Sequence, residues 1–328
     1  MAPAVPTNTR AGRRGRLVAR FQTAEGSPQS SFASGTGAVA FRTEETGIDA
    51  TLPYEEPGPW MTSLDGEAAT SEHRLTDEPA DLFVAQATPG ALAMLLKSNW
   101  GTPVAGVYAL ASQVESTRWL MLGWYEDTVL AVGHKLVRIQ DAWVHRLHLV
   151  SEGPRGPLLA VAEYAGSTVL VGSYSGAPSI VPTDDNVFAA QACELRRDPA
   201  GANQSIRFSR LAVTLDQGLI GGKSDADWDM MRQRADVAKL GRPSVTLDFR
   251  GECNDETWTM LTNARAGTRQ TFRFKAVATQ PASTLTVDFV GCVSQFRPTG
   301  HVGRGFREFD GTLQAGTISG SFVALSLV

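Results

Sequence analysis

A chain of 328 residues with 42% hydrophobic side chains can supply the cores of two domains of ordinary size. Its formal charge of −4 is too small to mark a nucleic-acid coat or a polyacidic tail. No apolar run approaches the roughly 20 residues of a membrane helix, and no apolar stretch with a cleavage site opens the chain, so synthesis and assembly in a cytoplasm are expected.

Charge is placed unevenly. Arg10, Arg13, Arg14, Arg16 and Arg20 make the N-terminus basic, and residues 1–15 read as an arm before a first strand at 16–23, where Leu17, Ala19, Phe21 and Thr23 share a face. From 24 to 81 the sequence is rich in Gly, Ser, Thr, Pro and acids. A connection of that length is functional or becomes ordered against a partner. Its aromatics, Phe32, Phe41, Tyr54 and Trp60, are candidate anchors into a neighbouring molecule, or pins that hold the loop to its own domain. Residues 44–81 hold eleven acids against one arginine, Arg74. The bland reading is a solvated loop that keeps the protein soluble. The functional reading is a negative wall past which nucleic acid slides without sticking, with Glu44, Glu45, Asp49, Glu55, Glu56, Asp65 and Glu67 as its candidates.

Residues 88–101 predict a helix. Thr88 caps it, Pro89 suits the first position, Lys97 lies near the end, Gly101 stops it, and Leu92, Leu95 and Leu96 form the buried face. Strand-like runs follow at 119–125, 128–132, 136–150 and 158–171. Residues 175–186 read as a linker.

In the second half Ile206 and Phe208 are followed by Leu211, Val213 and Leu215, so the phase slips once near Ser209 and Arg210, as at a bulge. Alternation is clean at Val245, Leu247 and Phe249, at Phe272, Phe274, Ala276 and Ala278, and at Leu285, Val287 and Phe289. Residues 254–267 predict a second helix. Asn254 is its N-cap, Asp255 and Glu256 suit the positive end, Arg265 suits the negative end, and Gly267 terminates it. Trp258, Leu261 and Ala264 make its apolar stripe. Residues 218–242 form another long loop. The apolar C-terminal stretch 318–328 needs cover from its own sheet or from another subunit, with Phe322, Leu325 and Leu327 as contact candidates. The strongest internal echo pairs 145–150 with 209–215, each followed by a similar strand, at 158–166 and 244–251.

The fold expected is mainly β. It comprises two tandem β-sandwich or barrel-like units at 16–174 and 187–328, each with a short flanking helix, together with long loops and terminal arms.

No catalytic, cofactor or metal site emerges. Residues 218–224, GLIGGKS, place Gln217 where a phosphate loop needs glycine. His145 and His148 lie three apart on a strand and face opposite sides. His73, His134 and His301 have no nearby ligand cluster. Residues 172–176, GSYSG, carry tyrosine where a nucleophile elbow needs serine. The pairs Asp184–Asp185 and Glu55–Glu56 lie beside proline or in loops. Cys193, Cys253 and Cys292 match no zinc spacing and read as reduced thiols, although Cys253 and Cys292 could be neighbours.

The strand at 16–23 followed by AEGSP, the long loop, the helix at 88–101, the paired strands 143–150 and 158–166, and the strands 208–218 and 244–252 leading into a helix make an ordered pattern. It resembles the tail tube (major tail) protein of long-tailed, non-contractile bacteriophages, over nearly the whole chain. The resemblance implies a non-enzymatic virion protein whose copies form rings stacked into a tube through which DNA passes. It also implies contacts to other tail proteins at the tube ends. The variety with two tube domains per chain implies rings of three with pseudo-sixfold symmetry; a hexamer is the other stoichiometry. Two alternatives stand beside it: a tail-tip or baseplate adaptor, and, in a different class, a β-sandwich carbohydrate-binding or hydrolytic module drawing on the seven tryptophans.

Overall fold

Alternating side chains give this protein its strands, and two long strands give it its architecture. The computed structural model describes residues 15–24, 26–27, 32, 37–42, 82–108, 120–126, 134–151, 153, 156–165, 168–174, 186–217, 228–229, 234–235, 243–278, 283–299, 308–315 and 323–327. In chain order the first half contains β1 (Gly15–Phe21), β2 (Val39–Phe41), β3 (Leu82–Gln86), α1 (Pro89–Asn99), β4 (Val107–Tyr108), β5 (Leu120–Glu126), β6 (His134–Ser151), β7 (Leu159–Ala165) and β8 (Thr168–Tyr174). The second half contains β9 (Phe188–Arg197), β10 (Gln204–Ile206), β11 (Phe208–Asp216), β12 (Trp228–Asp229), β13 (Arg234–Ala235), β14 (Ser244–Glu252), α2 (Asp255–Arg265), β15 (Gln270–Ala278), β16 (Thr284–Thr299), β17 (Glu308–Ala315) and β18 (Val323–Leu327). The protein is mainly β, with a large antiparallel sheet of 16 strands among the described residues; β12 and β13 pair separately.

Both helices form for the local reasons the sequence predicts. Thr88 Oγ1 accepts a bond from Ala91 N at 3.3 Å, and Pro89 opens α1 where its missing N–H costs nothing. Asn254 and Thr257 bond reciprocally at the start of α2 as a capping box, and Gly267 follows the other end with a φ of 70°. Leu92, Leu95 and Leu96 are fully buried. The stripe expected on α2 is not. Trp258 is 49% exposed, and the side chains that face the sheet are Thr257 and Met260. Trp258 instead lies against Phe296, with ring centroids 6.1 Å apart.

The two halves repeat one pairing scheme. In the first, β1 forms a hairpin with β2 and pairs β5, which pairs β6; β8 joins the N-terminal part of β6, β7 joins its C-terminal part, and β3 flanks β7. In the second, β9, β10, β15, β16, β18, β17 and β14 take those places in that order of roles. Registers agree residue by residue: Phe83 opposite Ala162 corresponds to Phe249 opposite Gly311, and both N-caps, Thr88 and Asn254, follow at the same distance. Even an isolated bond recurs, from Gln86 N to Arg42 O at 2.7 Å and from Glu252 N to Arg207 O at 3.4 Å. The hairpins made by β6 and β16 each slip once, at His145 and at Ser294.

Two sequence expectations are corrected by this pattern, and for the C-terminal strand it selects one of two alternatives. The run 158–171 is two strands, β7 and β8, which pair different parts of β6. The echo between 145–150 and 209–215 does not relate equivalent strands; β6 and β11 are bonded neighbours, and β6 corresponds to β16. The C-terminal strand is covered within the chain, since β18 pairs β16 on one side and β4 on the other. The slip foreseen near Ser209 and Arg210 is present between Phe208 and Arg210. Most of the proposed linker, 175–185, lies outside the described residues.

One apolar cluster runs through both halves, from Leu17 and Phe83 through Leu147, Leu211 and Leu215 to Phe272 and Leu313. Gly311 and Gly251 admit the aromatic rings at its edge: a Cβ at Gly311 would stand 2.9 Å from Phe249 and from Phe309, whose rings pack edge-on with centroids 5.2 Å apart. Leu147 is fully buried between β7 and β11. Leu147→Ala should lower unfolding free energy by about 3 kcal/mol in urea titrations, as a buried truncation does, and a loss below about 1 kcal/mol would mean that the two halves do not share this core.

Candidate assembly interface

The halves are joined by the ladder between β6 and β11, by the pairing of β4 with β18, and by the backbone bonds of Phe188 with Ala87 and Leu158. Asp216 to Leu211 run antiparallel to Arg146 to Ser151, and Gln217 N extends the ladder by donating to His145 O at 2.9 Å. Side chains alternate across it. Leu147, Leu149, Leu211, Val213 and Leu215 are buried. On the opposite face Arg146 bridges the strands, reaching Glu163 of β7 at 3.0 Å and Asp216 of β11 at 2.9 Å. His148 Nε2 lies 2.8 Å from Glu163 and its Nδ1 2.9 Å from Thr214. Burial alone would raise the Glu163 carboxyl's pKa, but the His148 hydrogen bond and the Arg146 charge outweigh it and hold the pKa below the usual carboxylate value. These side chains are partly exposed, so their contribution is to register more than to stability.

His145 is the bulge residue, and the ladder to β11 buries it. The residue is 3% exposed, its Nε2 has no hydrogen-bond partner among the described residues, and burial pushes its pKa down to about 4. Gln217, on the adjoining strand, is also buried with its Nε2 unpartnered among the described residues. Where β6 passes from one ladder to the next, the end of α1 takes up its polar groups. Trp143 Nε1 donates to Ser98 O at 2.9 Å, Val144 N to Ser98 Oγ at 3.2 Å, and Asn99 Nδ2 to Val144 O at 3.2 Å. A second bulge in β6 sets Asp141 at a φ of 49°, held by Gln22 Nε2 and Gly26 N, each donating to its carboxylate at 2.7 Å.

The equivalent surface of the second half is left uncovered by the described residues. Ser294 stands where His145 does and is exposed; Arg297 stands where His148 does and is exposed. Beyond Gly291, β16 is paired by β17 alone among the described strands. At the other end of the pattern, β14 has β17 on one side and β11 on the other, while its equivalent β3 has only β7 among the described strands.

The aromatics proposed as anchors divide. Phe41 is 3% exposed and packs on Phe83 at 5.3 Å between centroids; Phe32 is 2% exposed, lying on Val18 and Met121 over the space left by Gly123. Both are consumed inside the chain, so they pin their own segment and are not anchors into a neighbour. Leu325 and Leu327 belong to β18, whose backbone is already bonded to β16, which removes that strand as a free edge on the β16 side. Tyr54, Trp60, Phe322, and the acids Glu44, Glu45, Asp49, Glu55, Glu56, Asp65 and Glu67 lie outside the described residues, as do residues 218–224. Sequence reading missed the outward edge of β16, because an edge is a property of pairing that no single strand displays.

All three cysteines are thiols, and burial pushes the pKa of Cys193 up to about 12. Among the described residues no group of three or more His, Cys, Asp or Glu is placed to hold a metal ion. No helix among them is long and apolar enough to cross a membrane. Trp100 and Trp143 are fully buried and offer no platform for a sugar ring. No known family model matches the chain, and no curated protein matches it.

His145 gives the junction a defined acid response. Unfolded, an imidazole titrates near its ordinary value of 6.5, whereas burial lowers it to about 4 in the folded chain, so the unfolded chain binds the extra proton between these values. Stability is therefore full above pH 6.5 and falls as the pH drops toward 4, by about 3 kcal/mol from this residue. Comparing urea midpoints at pH 7.5 and 4.5, His145→Gln should shrink the difference; an unchanged difference would assign the acid response to other groups.

Proposed function

We propose that this chain is a structural subunit that assembles with copies of itself into stacked rings, as a tail tube protein of long-tailed, non-contractile bacteriophages does. Its place is the virion tail, its channel passes DNA without specific binding, and its working part is the annulus and not a cleft. A ring of three chains, each presenting two equivalent units, has pseudo-sixfold symmetry.

The repeated pairing scheme is the observation that carries this reading. A scheme used twice in one chain, with the second unit bonded edge to edge onto the first, has a natural continuation: further units added by the same contact. Each added contact satisfies backbone groups that an open strand leaves to water and to aggregation. Interfaces of this obligate kind bury more than about 2,000 Å². The charge lacing on the sheet's polar face suits a wall that a polyanion passes. Arg250 is held by Asp310 at 2.8 Å and Arg273 by Asp288 at 2.6 Å, so these guanidinium groups are already engaged and present less free charge to phosphate.

Purified protein examined by negative-stain microscopy should show rings or tubes with a central lumen, at copy numbers in native particles that rank among the most abundant virion proteins. A protein that stays monomeric in all conditions, with no annulus in any particle, would remove the proposal. A single ring per particle would instead assign it to the tail tip.

A further inference from the structure

On the buried face of the ladder between β6 and β11 the rungs are apolar until the one that carries His145. Leu149 stands opposite Val213 and Leu147 opposite Leu215, and all four side chains are fully buried. The bond from Gln217 N to His145 O carries the same register one rung further, so Gln217 faces His145. Residues directly opposite in an antiparallel pair put their side chains on one face, with Cβ atoms about 5 Å apart. Counting by two along each strand places this pair on the face of Leu147 and Leu215. Burial agrees: His145 is 3% exposed and Gln217 1%.

Two polar side chains thus share one rung of an apolar face. Each ends in a nitrogen, His145 Nε2 and Gln217 Nε2, with no hydrogen-bond partner among the described residues. Buried polar atoms in folded proteins are paired, and where the chain supplies no partner an ordered water does. The two nitrogens are complementary to a single water. A carboxamide nitrogen only donates. Burial holds the pKa of His145 down at about 4, so its ring is neutral at pH 7 and one ring nitrogen is an acceptor.

The second half shows the same position without its cover. Ser294 stands where His145 does and is exposed, so a polar residue at this bulge is reached by bulk solvent. In the first half β11 closes over the position, and hydration can serve it only from inside.

We propose that the ladder between β6 and β11 encloses a site for one water molecule, which accepts a hydrogen bond from Gln217 Nε2 and donates one to His145 Nε2. The ring proton is then on Nδ1. This water is a built-in part of the contact between the halves, tying by side chains the rung beyond Arg146 and Asp216. The site belongs to the single chain and stands whether or not copies assemble.

The chain has five histidines, so nitrogen-15 labelling of histidine alone gives five rings to resolve, and sequential assignment identifies His145. At pH 7 the His145 ring of the unaltered full chain is expected as the Nδ1–H tautomer, with Nε2 correlated to a water proton that exchanges slowly with bulk solvent. Gln217→Leu should abolish that correlation while the ring stays neutral. In urea titrations His145→Phe and Gln217→Leu together should destabilise less than the sum of the two alone, by about tenfold in the unfolding constant, because each single change strands the other group. A correlation from the ring to the Gln217 carboxamide would mean a direct bond and overturn the inference. An Nε2–H tautomer with no slowly exchanging water would overturn it as well, and so would additive losses. Where a variant does not fold, the spectrum of the unaltered chain decides alone.

Discussion

The ladder between β6 and β11 is the constraint on which the rest depends. A strand of 18 residues cannot be satisfied by one hairpin partner, and β6 is served by four strands: β5 and β8 along its N-terminal part, β7 and β11 along its C-terminal part. The transition between the two parts is where polar backbone is hardest to place. The protein resolves it with two bulges, the Asp141–Gln22 clamp and the end of α1. Once β6 is fixed in this way, β11 of the second half adds along its C-terminal part, and the apolar side chains of the second half join the first half's core without a boundary.

Much of the fold was legible because its signals are local. Thr88 and Asn254 cap their helices through bonds spanning three residues, Gly267 ends α2, and the phase slip before Leu211 is written in the order of the side chains. The repeat was not legible in its true register. Equivalent positions share little chemistry: Leu82 corresponds to Asp248, Ala85 to Gly251, His145 to Ser294. What they share is a place in a pairing scheme, and that is visible only when strands distant in sequence are seen side by side. The echo between β6 and β11 misled for a related reason: adjacent strands in one sheet alternate alike and so read alike.

The candidate site was less legible than the fold. Trp258 reads as part of the apolar stripe of α2 because tryptophan is large and apolar, yet orientation of α2 on β16 gives the buried positions to Thr257 and Met260. Phe32 and Phe41 looked available because they sit in a polar, loop-like stretch, and both are covered by residues far along the chain. Burial of an aromatic is decided by what returns to cover it, and sequence neighbours carry no record of that.

The two helices occupy equivalent places under unequal constraint. A polar side chain at Leu92 of α1 would be sealed away from water among core residues, whereas at Trp258 of α2 it would reach solvent. The second unit can therefore accept substitutions that the first must refuse. Sequence drift between related chains should concentrate on α2, and that helix is where a new surface property could arise without loosening the sheet beneath it.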